Sequence, residues 1–238
     1  MPDQHEIALT MDLKASSDDS AGTVTSSVEI RRPGLVPYQE AWDVQRALLA
    51  RIVAEDAPET LLLLEHPHTY TLGRRGGREH LLATPEELAG RGAVVIESDR
   101  GGDITYHGPG QIVGYPLLNL RRRTGGDVHR YLRALEEVLI GVLAAYGLTG
   151  EREPEHTGVW CGGAKVAAIG VRISRGITMH GFALNVNTDL SYFNHIVPCG
   201  IHDRPVTSLE QLLGERIPMD EVTGEVERRF QSVFGPVR

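Results

Sequence analysis

GVWCGGAKVAAIGVRISRGITMHGFALNV, from Gly158 to Val186, is the stretch that decides the fold. Trp160 and Cys161 turn through Gly162 and Gly163 into a strand over Lys165 to Ser174. Arg175 and Gly176 turn again into Ile177 to Val186, so the pattern predicts an antiparallel β-meander. Lys165 stands out within it: the chain has two lysines against twenty-two arginines. An amine, unlike a guanidinium, loses pKa readily on burial and can then exchange protons near neutrality. Followed by Val166, Ala167, Ala168 and Ile169, Lys165 reads as a chemical candidate; a surface lysine spared in an arginine-rich chain is the alternative. Cys161 reads as structural, and His180 beside Gly181 either lines a cavity or fills one.

Downstream lies IVPCGIHDRPVTSLEQLLG, in which Cys199 stands between Pro198 and Gly200. Proline fixes the approach and glycine lets a substrate or a neighbouring backbone come close. A buried inert thiol is one reading. The other is a nucleophile paired with Lys165, whose amine would take the thiol proton and whose ammonium would then stabilise the thiolate. Ser208 caps a short helix, and a last helix from about Asp220 to Val233 buries Val222, Val226, Phe230 and Val233.

Upstream, RGGDITYHGPGQIVGYPLLNL (Arg100 to Leu120) predicts a hairpin-like pair, Asp103 to His107 and Gln111 to Leu120, joined by the HGPG turn. Its glycines are not a dinucleotide fingerprint, since the last gap is one residue too long and no helix follows. His107 is structural or catalytic, and the glycines beside it permit a ligand to lie against backbone. Asp127 starts the clearest helix, with Tyr131, Leu135, Val138, Leu139 and Val142 on one face and Gly147 at its end. An earlier helix starts at Pro37, placed in its first turn, and has one polar exception on its apolar face, Gln45. TLLLLEH (Thr60 to His66) and AVVIES (Ala93 to Ser98) read as buried strands, a further short strand begins near Val28, and Thr84, Pro85 and Glu87 mark a capped helix start. Arg74, Arg75 and Arg78 among glycines form either an anion-binding loop or a solvated one.

With 238 residues and a formal charge of -8, the chain is long enough for one well-buried domain and lacks the basic excess of a nucleic-acid binder. Residues 1–27 carry five acids, one lysine and eight serines or threonines, which reads as a disordered acidic extension ahead of a single domain over residues 28–238. No apolar run approaches the ~20 residues of a membrane span, no targeting segment is recognisable, and two cysteines make no disulfide framework. The chain therefore reads as cytoplasmic, without membrane or nucleic-acid partners. No Cys, His and carboxylate spacing matches a metal site. The residues alone reach an α/β protein of α+β type and a Cys199–Lys165 pair, without a substrate.

EHPHTYTLGRR, RGGDITYHGPGQIVGYPLLNL, the opening stretch and IVPCGIHDRPVTSL together resemble the octanoyl-[acyl carrier protein]:protein N-octanoyltransferases of lipoate biosynthesis, in that family's order, from about Val28 to the last helix. The resemblance implies a mixed β-sheet with packed helices, like the catalytic domain of biotin and lipoate protein ligases. It implies that Cys199 accepts the octanoyl group as a thioester and that Lys165 lowers the pKa of that cysteine. It places substrate contacts on Arg100, Gly101, Gly102, Asp103, Ile104, Thr105, Tyr106 and His107, on Ala168, Ile169 and Gly170, and on Gly181, Phe182 and Ala183. The implied donor is octanoyl-acyl carrier protein. The implied acceptors are lipoyl domains of 2-oxoacid dehydrogenase complexes and the glycine cleavage carrier protein, in the first step of endogenous protein lipoylation. A monomer without cofactor, metal or ATP is expected. An ATP-dependent lipoate or biotin protein ligase and a cysteine thioesterase are the competing readings. Cys161 stands where an apolar residue is expected, and His202 follows the PCGI turn.

Overall fold

The computed structural model describes residues 27–154, 156–197 and 205–236, so Cys199 and the expected extension up to residue 26 lie outside the described residues. In chain order the elements are β1 (Glu29–Leu35), α1 (Tyr38–Val53), β2 (Thr60–Glu65), β3 (Thr69–Leu72), α2 (Pro85–Gly90), β4 (Val94–Glu97), β5 (Ile104–His107) and β6 (Gln111–Leu117). There follow α3 (Leu120–Thr124), α4 (Val128–Ala145), β7 (Gly158–Cys161), β8 (Ala164–Ser174), β9 (Ile177–Asn185), α5 (Leu209–Leu213) and α6 (Met219–Phe234). No helix among the described residues is long and apolar enough to cross a membrane.

The meander forms as read, and its strands complete a six-stranded mixed sheet in the order β1-β2-β6-β9-β8-β7. β1 runs parallel to β2, and the other neighbours are antiparallel. Period-2 alternation divides each central strand between two cores. Leu61 and Leu63 of β2 join Phe182 and Leu184 of β9 under α4 and α6, while Leu62 and Leu64 join Met179 and Ala183 under α1. That is why TLLLLEH reads as continuously apolar: both of its faces are covered. Each such leucine, fully buried, contributes roughly 2 kcal/mol.

A second sheet, β4-β3-β5, packs its own core of Tyr70, Leu72, Ile104, Tyr106 and Phe193. This sheet corrects the expected hairpin. β5 pairs with β3, whereas β6 pairs with β2 and β9, so the HGPG turn carries the chain from one sheet to the other. Ala93 to Ser98 is likewise an edge strand, with Val94 exposed. β6 ends at Leu117, and Leu120 begins α3. Pro37 is the residue before the first turn of α1, and Phe234 takes the buried place expected of Val233. The Thr84 capping box, the Asp127 cap and the Ser208 cap form as expected.

Candidate active site

Where the loop leading into β5 lies against β8 and β9, the two sheets form a pocket that is open to solvent on one side. Its lining includes Arg100, Gly102, Asp103, Ile104, Thr105 and His107, then Ala168, Ile169 and Gly170 of β8, then Gly181, Phe182 and Ala183 of β9, and Lys165. The paired strands β8 and β9 thus meet a loop more than sixty residues upstream of them in the sequence. Two of the expected contacts are elsewhere. Gly101 donates its N–H to the Val171 carbonyl at 2.9 Å, stitching the loop to β8. Tyr106 points into the small sheet's core, stacks on Tyr192 at 4.8 Å between ring centres and puts its hydroxyl 2.7 Å from His68 Nδ1.

Lys165 begins the long strand of the meander, half-buried, with Nζ 4.6 Å from the centre of the Trp160 ring. Its backbone is held on both sides by the segment that follows Cys199. Lys165 donates its N–H to the Pro205 carbonyl at 2.9 Å and accepts from Thr207 N–H at 2.9 Å. On the other side of the Cys199 segment, Val197 donates to the His80 carbonyl at 2.8 Å. A smaller hollow shares Lys165, Thr105, Ala168 and Ala183 with the main pocket and extends it toward Gln111, Asn185 and Val206.

Behind the pocket runs a chain of side-chain hydrogen bonds. Arg100, buried, donates from Nε to Thr71 Oγ1 at 3.1 Å and from Nη2 to the Thr71 carbonyl at 2.6 Å. Thr71 Oγ1 lies 3.4 Å from His107 Nε2, and His107 Nδ1 lies 2.8 Å from Gln111 Oε1. Gln111 donates to Asn185 Oδ1 at 2.9 Å, and Asn185 donates to the Thr207 carbonyl at 3.0 Å. Since the guanidinium can only donate, Thr71 passes its proton onward, and His107 is a neutral ring protonated at Nδ1. Burial first, then the repulsion that a protonated ring would meet from His66 were both charged, and from Arg100, hold its pKa well below the usual value. The loop that lines the pocket is thereby tied to the segment that lies on Lys165.

A second polar cluster closes the far end. Tyr38 bonds Ser98 at 2.8 Å, and Tyr115 bonds His66 Nε2 at 2.7 Å, while His66 Nδ1 donates to the Val36 carbonyl at 2.6 Å. His180 Nε2 donates to Asp99 at 2.7 Å, leaving Nδ1 to face the Tyr38 hydroxyl at 3.4 Å. Asp99 also pairs with Arg172. Burial, with the guanidiniums of Arg100 and Arg172, drives His180 downward, so the ring is neutral. His66, Gln111, Tyr115 and Asn185 lie inside the quoted motif stretches and Tyr38 outside them, but the sequence assigns none of the five a role. Their signal in the sequence is only that polar groups interrupt apolar strands and one apolar helix face, as Gln45 does on α1, where its Oε1 accepts the His180 N–H at 2.8 Å.

A half-buried amine at one end of a pocket whose polar atoms are bonded away from it suits the handling of an apolar acyl group. No group of three or more His, Cys, Asp or Glu suited to a metal ion is present among the described residues. The chain belongs to the lipoyl protein ligase A/B catalytic domain family, whose profile matches residues 37–231. Its relatives carry a more specific name. An octanoyltransferase of Rubrobacter xylanophilus is 54% identical over 213 residues, 88% of this chain and 95% of that one. An octanoyltransferase of Chloroflexus aggregans is 53% identical over 204 residues, 84% of this chain and 92% of that one. Among solved structures, lipoate-protein ligase A bound with ATP superimposes with a TM-score of 0.66 at 15% identity, over 89% of this chain and 87% of that one. A bi-partite lipoate protein ligase of Thermoplasma acidophilum gives 0.62 at 14% identity, over 89% and 85% of the two chains. A biotin protein ligase of Aquifex aeolicus, in complex with biotin and ATP, gives 0.51 at 16%, over 87% and 70%. The ligase catalytic-domain fold expected from the sequence is the fold observed.

Proposed function

We propose that the protein moves an octanoyl group from octanoyl-acyl carrier protein to a lysine amine of a lipoyl domain, by way of a thioester on Cys199. One observation carries this reading. Lys165 borders an apolar pocket and is bonded through its N–H and its carbonyl to the Pro205–Thr207 segment, which follows Cys199 by six to eight residues. Lys165 takes the proton of the Cys199 thiol, and the thiolate attacks the thioester carbonyl of the donor. The carbon–sulfur bond to the carrier's thiol breaks, and that thiol leaves with the proton held by Lys165. In the second transfer the acceptor amine attacks the Cys199 thioester, Lys165 removes its surplus proton, and Cys199 departs. Thioester exchange is near thermoneutral and amide formation is downhill, so the sequence of steps runs without ATP. The pocket receives the acyl chain, with its loop held by Arg100 and Thr71.

The test is the intact mass of the protein after incubation with octanoyl-acyl carrier protein without ATP, beside Cys199→Ser and Lys165→Ala variants. One octanoyl adduct is expected on the wild type, none on the Cys199 variant, and discharge on adding a lipoyl domain. Transfer that appears only with free octanoate and ATP would make the protein a ligase; release of free octanoate regardless of lipoyl domain would make it a thioesterase.

A further inference from the structure

We propose that His180, with Tyr38 and Tyr115, is the floor of the acyl pocket and sets the chain length accepted, an inference that rests on the acyl-transfer reading above. Strand alternation places residues 178, 180, 182 and 184 of β9 on the side of α4, where Phe182 and Leu184 do lie. His180 departs from it. Its φ of 54° is in the left-handed region, unfavourable for a residue with a Cβ, and the ring is turned onto the α1 side instead. There it meets Trp42 at 6.0 Å, stacks on Tyr38 at 6.5 Å and stands edge-on to Tyr115 at 6.1 Å between ring centres. Beside it, a Cβ on Gly181 would strike the Gly114 carbonyl, so this part of β9 has no side chain of its own to end the pocket.

The three rings line the pocket, buried to 1%, 3% and 3% exposure for His180, Tyr38 and Tyr115, toward the Gly170–Gly181 end of the β8–β9 pairing and away from Lys165. Their polar atoms bond Ser98, Asp99 and His66, so ring faces and edges are what the pocket meets. Distance agrees. Lys165 precedes Gly170 by five residues on β8, and Gly170 pairs with Gly181 next to His180. At ~3.3 Å per residue, the lysine backbone and the floor are ~17 Å apart along the strand. An extended eight-carbon acyl group covers ~9 Å at ~1.3 Å per methylene, which fits within that span.

His180→Gly removes the ring while leaving a residue at ease with positive φ. The measurement is the rate of acyl-adduct formation with hexanoyl-, octanoyl-, decanoyl- and dodecanoyl-acyl carrier protein, for wild type and variant. The decanoyl-to-octanoyl ratio is expected to rise roughly 10-fold or more in the variant, since a methylene in an apolar pocket discriminates by about that factor. A variant that melts cooperatively yet keeps the wild-type length profile overturns the proposal. If His180→Gly does not fold, Tyr38→Leu carries the same prediction and the same overturning result. A wild type that takes up no octanoyl group defeats the acyl-transfer reading itself and the floor with it, whereas an unchanged length profile in an active variant defeats the floor alone.

Discussion

Three buried imidazoles, His66, His107 and His180, are held neutral, and the clearest of them is His66. Its Nδ1 donates to a carbonyl and its Nε2 accepts from a hydroxyl, and burial pulls its pKa from 6.5 down to about 4. Between those values the unfolded chain binds a proton at this site that the folded chain refuses. The contribution of neutral His66 is therefore complete above pH 6.5 and is lost as pH falls through about 4. At about 1.4 kcal/mol per pH unit, about 2 kcal/mol should disappear between pH 6.5 and 5. His66→Asn keeps a donor for the Val36 carbonyl and has no proton to gain. Urea midpoints at pH 7 and pH 5 should thus converge for wild type and variant as pH falls. A difference between them that stays constant with pH would show that His66 does not titrate in this window. None of this network was legible beforehand: His66 ends an apolar run and opens a quoted motif stretch, but neither points to its partners. Its partners Val36 and Tyr115 come from β-pairing across thirty and forty-nine residues. Lys165, by contrast, was visible at once, because its rarity and apolar flank are local properties.

At the scale of elements, the meander and the long helices were legible because period-2 and period-3.6 patterns are local. The hairpin was not. Nothing between His107 and Gln111 says that β3 captures β5 while β2 and β9 capture β6, since that choice is made by strands up to 74 residues away. Glu136 of α4 is a similar case. It is fully buried beside Leu135 and Val138, yet it bonds Arg133 at 2.6 Å, Arg152 at 3.2 Å and the Gly158 N–H at 3.3 Å, tying α4 to the first strand of the meander. Hydrophobic pattern alone would make Glu136→Leu stabilising. The contacts predict the reverse: a buried Gly158 N–H left without its acceptor costs about 1–3 kcal/mol. Thermal melting should drop by several degrees in Glu136→Leu and by less in Glu136→Gln, which retains an acceptor oxygen. A melting temperature at or above wild type in Glu136→Leu would mean that the tie to β7 adds nothing.

For the whole molecule the question is how a protein with a formal charge of -8 would dock the acyl-carrier donor proposed above, if that carrier is acidic as well. Two basic clusters, one with Arg74, Arg75 and Arg78 and the other with Arg121, Arg122 and Arg123, are not equivalent in space. Arg74 and Arg75 are exposed on a loop whose backbone bonds the pocket loop, Arg74 N–H to the Arg100 carbonyl and Arg75 N–H to the Gly102 carbonyl, each at 3.0 Å. Arg121 to Arg123 sit on α3, where Leu120 bonds Gly176 at the far turn of the meander at 2.9 Å. Nine residues of β8 separate Lys165 from Ser174, a run of ~30 Å at ~3.3 Å per residue. Within that cluster Arg122 pairs with Glu55, and Arg123 is a structural residue, buried against Glu59 and the Phe234 carbonyl. Only the first cluster is placed to guide a carrier to the pocket, and a local field of that kind raises encounter rates by ~10-fold or more at low salt. Reversing Arg74 and Arg75 to glutamate should therefore lower kcat/KM for octanoyl-acyl carrier protein several-fold at low ionic strength. The deficit should shrink as salt is raised toward 1 M, where the Debye length falls to about 3 Å. Arg121→Glu should leave both the rate and its salt slope near wild type. Equal losses from the two clusters, or a loss at Arg74 and Arg75 that salt does not relieve, would place carrier docking on another face.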